Sequence, residues 1–227
     1  MCGMNDDERF AQAFYEDLEG GRLGLLSVVA KVVFDLSGYF YAGSLIRKAH
    51  LRPSDRMLEV GCGTASMLIR AHGFRNSASK YYGVDISYTM LDRARHNIRR
   101  QGLGGSIFIA ASPASSLPFK DESFSVVLFA FVIKHLSDET FVSALKEAHR
   151  VLMPGGRLVM WEFLPSSMGW ANRYVYSITR AVRLRDRGEV ISLLEKTSFL
   201  HPKPFTILAP WMPTKTFAVV ATKRAAK

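Results

Sequence analysis

Residues 57–67 read MLEVGCGTASM: a short apolar run carrying one acid, two glycines two positions apart, and a helix-friendly TASM. The run reads as a buried strand. Gly61 and Gly63 allow the backbone to turn tightly and to approach another group closely. A strand that ends in such a turn and passes into a helix offers backbone N–H groups and a positive helix end to a ligand.

The same rhythm continues outward. ASMLIRAHG fits a helix ending near Gly73, YYGVDIS (81–87) a second strand, and YTMLDRARHNIRRQG a helix closing at Gly102. SIFIAAS and SVVLFAFVI (125–133) are further strands. DETFVSALKEAHRVL is amphipathic, with Phe141, Leu145, Ala148 and Leu152 on one stripe, and PGGR leads into LVMWEFL. Strands alternating with helices predict an α/β fold with a parallel sheet covered on both faces. The end of the chain breaks the alternation. FTILAPW (205–211) and TKTFAVVATK (214–223) are too close for a crossover helix and should pair antiparallel, as a hairpin on the sheet edge. The expectation is a doubly wound, seven-stranded mixed sheet.

At 227 residues, with 48% hydrophobic and 22% charged side chains, the chain can bury one full core. Its two cysteines, Cys2 and Cys62, are too few for a disulfide framework or a cysteine-built zinc site and point to a reducing compartment. The acidic start MCGMNDDERF does not read as a signal peptide, so a cytoplasmic protein is expected. The net charge of +10 is uneven: residues 165–227 carry 11 basic and 3 acidic side chains, or +8. That bias raises an anionic partner, either a membrane surface or nucleic acid, against the plain alternative of a solvated basic face.

Two segments stand outside the alternation. Residues 23–46 are apolar enough to suggest a span, but Lys31, Asp35, Gly38 and Gly43 interrupt them, and a helix buried against the domain is favoured. Residues 1–50 are therefore taken as an N-terminal helical cap on a domain covering 51–227. Residues 165–186 follow a strand's C-terminal end, where a lid over a site belongs.

A dinucleotide turn would ask for G-x-G-x-x-G, and Ser66 stands where the third glycine should be. Asp85 closes the second strand 24 positions after Gly61, where a carboxylate can accept both hydroxyls of a ribose. A nucleoside is indicated and a pyrophosphate is not required.

The successive runs LEVGCGTA, YGVDIS, LPFKDESFSVVLFAFVIKHL and LKEAHRVLMPGGRLVM, covering about residues 45–163, resemble the motifs of class I S-adenosylmethionine-dependent methyltransferases. The similarity is to the broad small-molecule branch that includes quinone and sterol methyltransferases. It implies the Rossmann-like methyltransferase fold and S-adenosylmethionine as cofactor. It also implies that Glu59 and the turn Gly61, Cys62 and Gly63 face the methionine end, that Asp85 holds the ribose, that Ile86 packs on the adenine, and that the Ala114 N–H reaches the ring. The family often has glycine where Ala65 stands. Relatives commonly carry an acid where this chain has Pro113; its absence should weaken cofactor binding by about 1–2 kcal/mol unless Ser112 or Ser115 substitutes. Ser125 occupies the place of a common structural aspartate.

Methyl transfer is an in-line displacement in which the enzyme chiefly aligns the reactants and excludes water. The acceptor should lie beyond the fourth strand, near Ile133, Lys134 and His135. His135 is the general-base candidate, because an imidazole titrates near physiological pH; the alternative is a histidine that only hydrogen-bonds near a helix start. Lys134 is expected to be solvated at a helix start. The lid's Trp170, Tyr174 and Tyr176 suit a hydrophobic acceptor, and its Arg173, Arg180, Arg183, Arg185 and Arg187 could face an anionic membrane. No histidine pair has metal-ligand spacing, and no metal is expected. The sequence thus predicts a methyltransferase acting on a small, hydrophobic or lipid-like acceptor. A nucleic-acid methyltransferase and a non-catalytic binding protein with a degenerate cofactor site stand as alternatives.

Overall fold

The computed structural model describes residues 42–75, 80–179, 181–207 and 215–225, with 9 and 13 as isolated positions. Seven strands make one sheet: β1 (Met57–Val60), β2 (Tyr81–Asp85), β3 (Ile107–Ala111), β4 (Phe124–Ala130), β5 (Leu152–Phe163), β6 (Phe199–Phe205) and β7 (Thr216–Lys223), in the order β3-β2-β1-β4-β5-β7-β6. The pairs joining β3, β2, β1, β4 and β5 are parallel, and β7 runs antiparallel to both β5 and β6.

The helices are α1 (42–48), α2 (Ser66–Arg75), α3 (Tyr88–Arg100), α4 (Asp138–Val151), α5 (Gly169–Thr179) and α6 (Arg187–Lys196). Alternation along each strand sorts the core into two layers. Leu58, Val127, Phe129, Leu158 and Met160 pack with Phe141, Ala144 and Leu145 of α4 and Val190 and Leu194 of α6. Met57, Val126, Leu128, Val159 and Trp161 meet α1, α2 and α3 on the other face, through Leu45, Ile46, Leu68, Leu91 and Ala94 among others. Burying each of these large side chains stabilises the fold by roughly 1.5–3 kcal/mol. Local signals agree with the packing. Ser137 caps α4 by accepting from Thr140 N–H at 3.3 Å, and Asp138 and Glu139 sit in its first turn, where the helix dipole favours acids. Asp186 and Glu189 close a capping box on α6.

The terminal hairpin is antiparallel as expected, but its first strand lies earlier than 205–211. The register Phe205↔Ala218 and Leu200↔Thr222 makes Phe199–Phe205 the outer strand, with β7 slotted between it and β5. Pro202 and Pro204 argue against a central strand; on an edge, with a register shift between Leu200 and Lys203, they are tolerated. The remainder of the predicted first run, 208–211, lies outside the described residues. So does most of the apolar segment 23–46; its described end, in α1, is buried against the sheet through Ala42, Leu45 and Ile46.

Strand order reverses between β1 and β4. The C-terminal ends of β1, β2 and β4 (Val60, Asp85 and Ala130) therefore open onto one crevice, where ligands bind in open α/β sheets.

Candidate active site

The crevice is built on the turn that leaves β1. Gly61 has φ +71° and Gly63 φ +50°, conformations that favour glycine. A Cβ on Gly61 would lie 2.5 Å from Val132 Cγ2, so glycine is what lets the chain after β4 press on the turn. A Cβ on Gly63 would meet nothing within 4 Å, and that side of the turn faces open space. The Gly61 and Cys62 N–H groups both donate to Val84 O, at 2.8 and 2.9 Å, and fasten the turn to β2. Behind it stands Gly83, where a Cβ would come within 2.8 Å of both Cys62 Sγ and Leu68 Cδ1. Ala65, buried in the same turn, has φ +62°; its methyl sits in the left-handed region at a cost of about 1 kcal/mol, which glycine there would avoid.

Asp85 ends β2 with its carboxylate over this turn. One oxygen accepts from Gly63 N–H at 2.8 Å and the other from Ser87 N–H at 2.9 Å, leaving each a further lone pair. Burial raises its pKa, opposed by the bonds from Ser87, Gly63 and Ile86. Glu59, two residues before Gly61, is buried at 3% exposure, and its Oε2 has no hydrogen-bond partner. Burial pushes its carboxyl well above the ordinary range, and the neighbouring Asp85 pushes it the same way. An unpaired carboxylate oxygen beside an open glycine turn is suited to receive a cationic donor.

Ser112, Pro113 and Ala114 follow β3 and close the third side; Ser112 N–H donates to Asp85 O at 3.0 Å, and Ala114 is buried. The Ser112 hydroxyl bonds the carbonyls of Ser116 and Pro113, at 2.7 and 3.1 Å, so it is turned inward and does not replace the missing acid. Ser125 does compensate for its own departure. It accepts from Arg56 N–H at 3.0 Å and bonds Asp55 Oδ1 at 2.9 Å, so the acid is supplied from Asp55 instead.

The far wall is the segment after β4. Phe131 takes φ +57°, its ring 4.3 Å from Trp161 and 4.8 Å from Phe163, and a 3-10 turn follows at Ile133–His135. His135 is buried there, across the crevice from Asp85 in the strand order. Lys134 is not solvated as expected: it is 3% exposed, its ammonium 3.7 Å from Glu162 Oε1 and bonded to Phe131 O. Burial lowers its pKa, and Glu162 counteracts this. One of the arginines assigned to the lid, Arg185, is likewise internal, while Arg183 is only partly covered. Arg185 is buried against Ile133, Leu136 and Asp138, and Arg183 pairs with Asp138 and Glu189. Arg173 and Arg187 are exposed, and Arg180 lies outside the described residues.

The crevice thus gathers Glu59, Gly61, Cys62, Gly63, Asp85, Ile86 and Ala114 on one side and His135 on the other. Cys62 lines it by backbone, since its thiol is buried against Gly83. Sequence reading passed over Val132 and Glu162, and it set Arg185 on a basic outer face although the residue is buried. Glu162 left one signal, an acid ending an apolar strand as Glu59 does. Among the described residues, no three His, Cys, Asp or Glu side chains are grouped to hold a metal ion, and no helix is long and apolar enough to cross a membrane.

Residues 58–160 match a family model described as a methyltransferase domain. The chain is 31% identical over 118 residues to a ubiquinone/menaquinone biosynthesis C-methyltransferase of Geotalea daltonii, covering 52% of this chain and 49% of that one. It is 32% identical over 133 residues to a demethylmenaquinone methyltransferase of Geobacillus kaustophilus, covering 58% and 56%. The chain spans about half the length of these curated relatives. A crystal structure of a SAM-dependent methyltransferase from Thermotoga maritima superposes with a TM-score of 0.68 at 21% identity, over 96% of this chain and all of that one, and so shares its fold.

Proposed function

We propose that this chain, whose residues 58–160 match a methyltransferase domain, is a class I S-adenosylmethionine-dependent methyltransferase that transfers a methyl group to a small, hydrophobic, lipid-like acceptor. The observation that carries the reading is Glu59, a buried carboxylate oxygen with no partner, set two residues before an open glycine turn. The cofactor brings an ammonium and a ribose, and the residues present fit both. Glu59 takes the ammonium, the remaining lone pairs of Asp85 take the ribose hydroxyls, Ile86 packs on the adenine, and the Ala114 N–H addresses its edge. Bound there, S-adenosylmethionine supplies an electrophilic methyl group on a sulfonium.

The protein's own work is alignment and exclusion of water. The turn after β4, held down by Val132 on Gly61, walls the acceptor side. His135 in that turn takes the proton that a hydroxyl or an acidic carbon acceptor must lose. The acceptor class follows from the quinone methyltransferases the chain resembles and from α5, where Trp170 and Tyr174, with Met168 just before the helix, expose apolar surface beside Arg173. Such a face suits the headgroup region of an anionic membrane, so the acceptor is met at a cytoplasmic membrane surface.

The test is incubation with methyl-labelled S-adenosylmethionine and detergent-dispersed prenylated quinols, with short phenols and RNA as comparison acceptors. Label extracted with the prenylated quinol, and lost in Asp85→Ala, supports the reading. Label in RNA alone would transfer it to a nucleic-acid methyltransferase. The inward-turned Ser112 hydroxyl and the absent acid at Pro113 favour a second reading, a binding protein without turnover; cofactor binding with no labelled acceptor would support that instead.

A further inference from the structure

A continuous set of contacts joins the segment 181–186 to the glycine turn through the turn after β4. The Arg185 guanidinium is buried and donates to Ile133 O at 2.8 Å and to Leu136 O at 2.7 Å. It pairs with Asp138 Oδ1 at 2.8 Å and lies 4.9 Å from the centre of the Phe141 ring. Val182 and Arg183 N–H both donate to Lys134 O, at 2.7 and 3.0 Å. Lys134 N–H in turn donates to Glu162 Oε2 at 3.1 Å, so the 3-10 turn is gripped from the lid side and from β5 together.

On its other side the same turn ends in Val132, the side chain that excludes any Cβ at Gly61. The hinge that leads into this turn is Phe131, immediately before Val132, a bulky residue at φ +57°, a backbone state that persists only where the surroundings impose it. The lid also holds this hinge through packing: Val175 of α5 and Leu184 share a small core with Phe163, and Phe131 packs against it.

We infer that Arg185 is a positioning residue: by clamping the carbonyls of Ile133 and Leu136 it keeps Val132 seated on Gly61, and so ties the lid segment to the shape of the cofactor turn. The inference rests on the methyltransferase reading for the identity of the ligand, not for the linkage itself. A guanidinium is required because one planar group must serve two carbonyls and a carboxylate at once; a lysine in its place retains the charge and can meet fewer of them. The energetic consequence is local. Loosening this clamp should raise the frequency of opening at the glycine turn without melting the sheet.

Amide hydrogen exchange on the cofactor-free full chain tests this directly, comparing wild type, Arg185→Lys and Arg183→Gln. In Arg185→Lys, exchange of the segment 58–67 should rise about threefold or more, while β3 (107–111) exchanges as in the wild type. Arg183→Gln, which removes only ion pairs with Asp138 and Glu189, should leave 58–67 unchanged. Asp138→Asn serves as a milder second variant should Arg185→Lys fold poorly, and should shift 58–67 in the same direction. Unchanged exchange at 58–67 in both Arg185→Lys and Asp138→Asn, or an equal rise in Arg183→Gln, would overturn the inference. A parallel titration with S-adenosylhomocysteine should give about fivefold or greater weakening in Arg185→Lys alone. If the wild type does not bind it, the methyltransferase reading fails, and the exchange result still decides the linkage.

Discussion

The Asp85 carboxylate holds the Gly63 N–H at 2.8 Å, so the acid that ends β2 fixes the turn that ends β1 before any ligand arrives. Its second oxygen holds Ser87 N–H at 2.9 Å, at the start of α3. One side chain therefore sets the distance between the two elements on which the proposed nucleoside site is built, and its loss should be felt twice.

Asp85→Ala leaves the Gly63 and Ser87 N–H groups without their acceptor. We expect a stability loss of about 1–3 kcal/mol by urea unfolding and, separately, at least tenfold weaker S-adenosylhomocysteine binding. Binding that survives in a folded Asp85→Ala protein would remove this residue from the site.

Glu59→Gln should move stability and binding in opposite directions. The folded-state pKa of Glu59 is raised by burial and by Asp85 above its ordinary value near 4.5. The folded protein therefore holds this proton more tightly than the unfolded chain, and the residue's contribution to stability falls as pH rises from about 4.5 through its folded pKa. Glutamine cannot ionise. The stability difference between Glu59→Gln and wild type should grow in favour of the variant across that window, while affinity for the ammonium-bearing cofactor falls about tenfold or more. Urea unfolding at a series of pH values checks the first part; a variant curve parallel to the wild type would contradict it.

Much of this was legible in the sequence, and the reasons are local. MLEV, YYGVD and SVVLF each carry a buried strand's apolar density, and the turn Gly61–Gly63 with Asp85 downstream needs only spacing to be read. What escaped depended on partners far along the chain. HPKPF looks unlike a strand until β7 is placed beside it at an edge that tolerates proline. Lys134 reads as a solvated surface lysine until Glu162, 28 positions away, is folded against it. Arg185 sits among arginines that resemble a basic surface, and only the turn Ile133–Leu136 gives it an internal task.

Gly83→Ala should destabilise the protein by about 1–3 kcal/mol, since a methyl there would strike Cys62 Sγ and Leu68 Cδ1 at 2.8 Å. Adding Cys62→Ala removes the Sγ but keeps the Cβ at 2.9 Å and leaves Leu68, so it should recover only part of the loss. A strictly additive double variant, measured by thermal unfolding, would show that the two side chains do not share this space.

His135→Asn should lower the methyl-transfer rate by about a hundredfold or more, with S-adenosylhomocysteine affinity unchanged, if the acceptor loses a proton there. Equal loss in both quantities would mark His135 as a residue that merely supports the turn Ile133–His135.

The most direct test is calorimetric titration of the purified chain with S-adenosylmethionine and S-adenosylhomocysteine. The account predicts saturable binding in the micromolar range, weakened in Glu59→Gln and Asp85→Ala. No binding by the folded wild type at millimolar ligand would contradict it, because the crevice would then lack the cofactor on which the proposed chemistry depends.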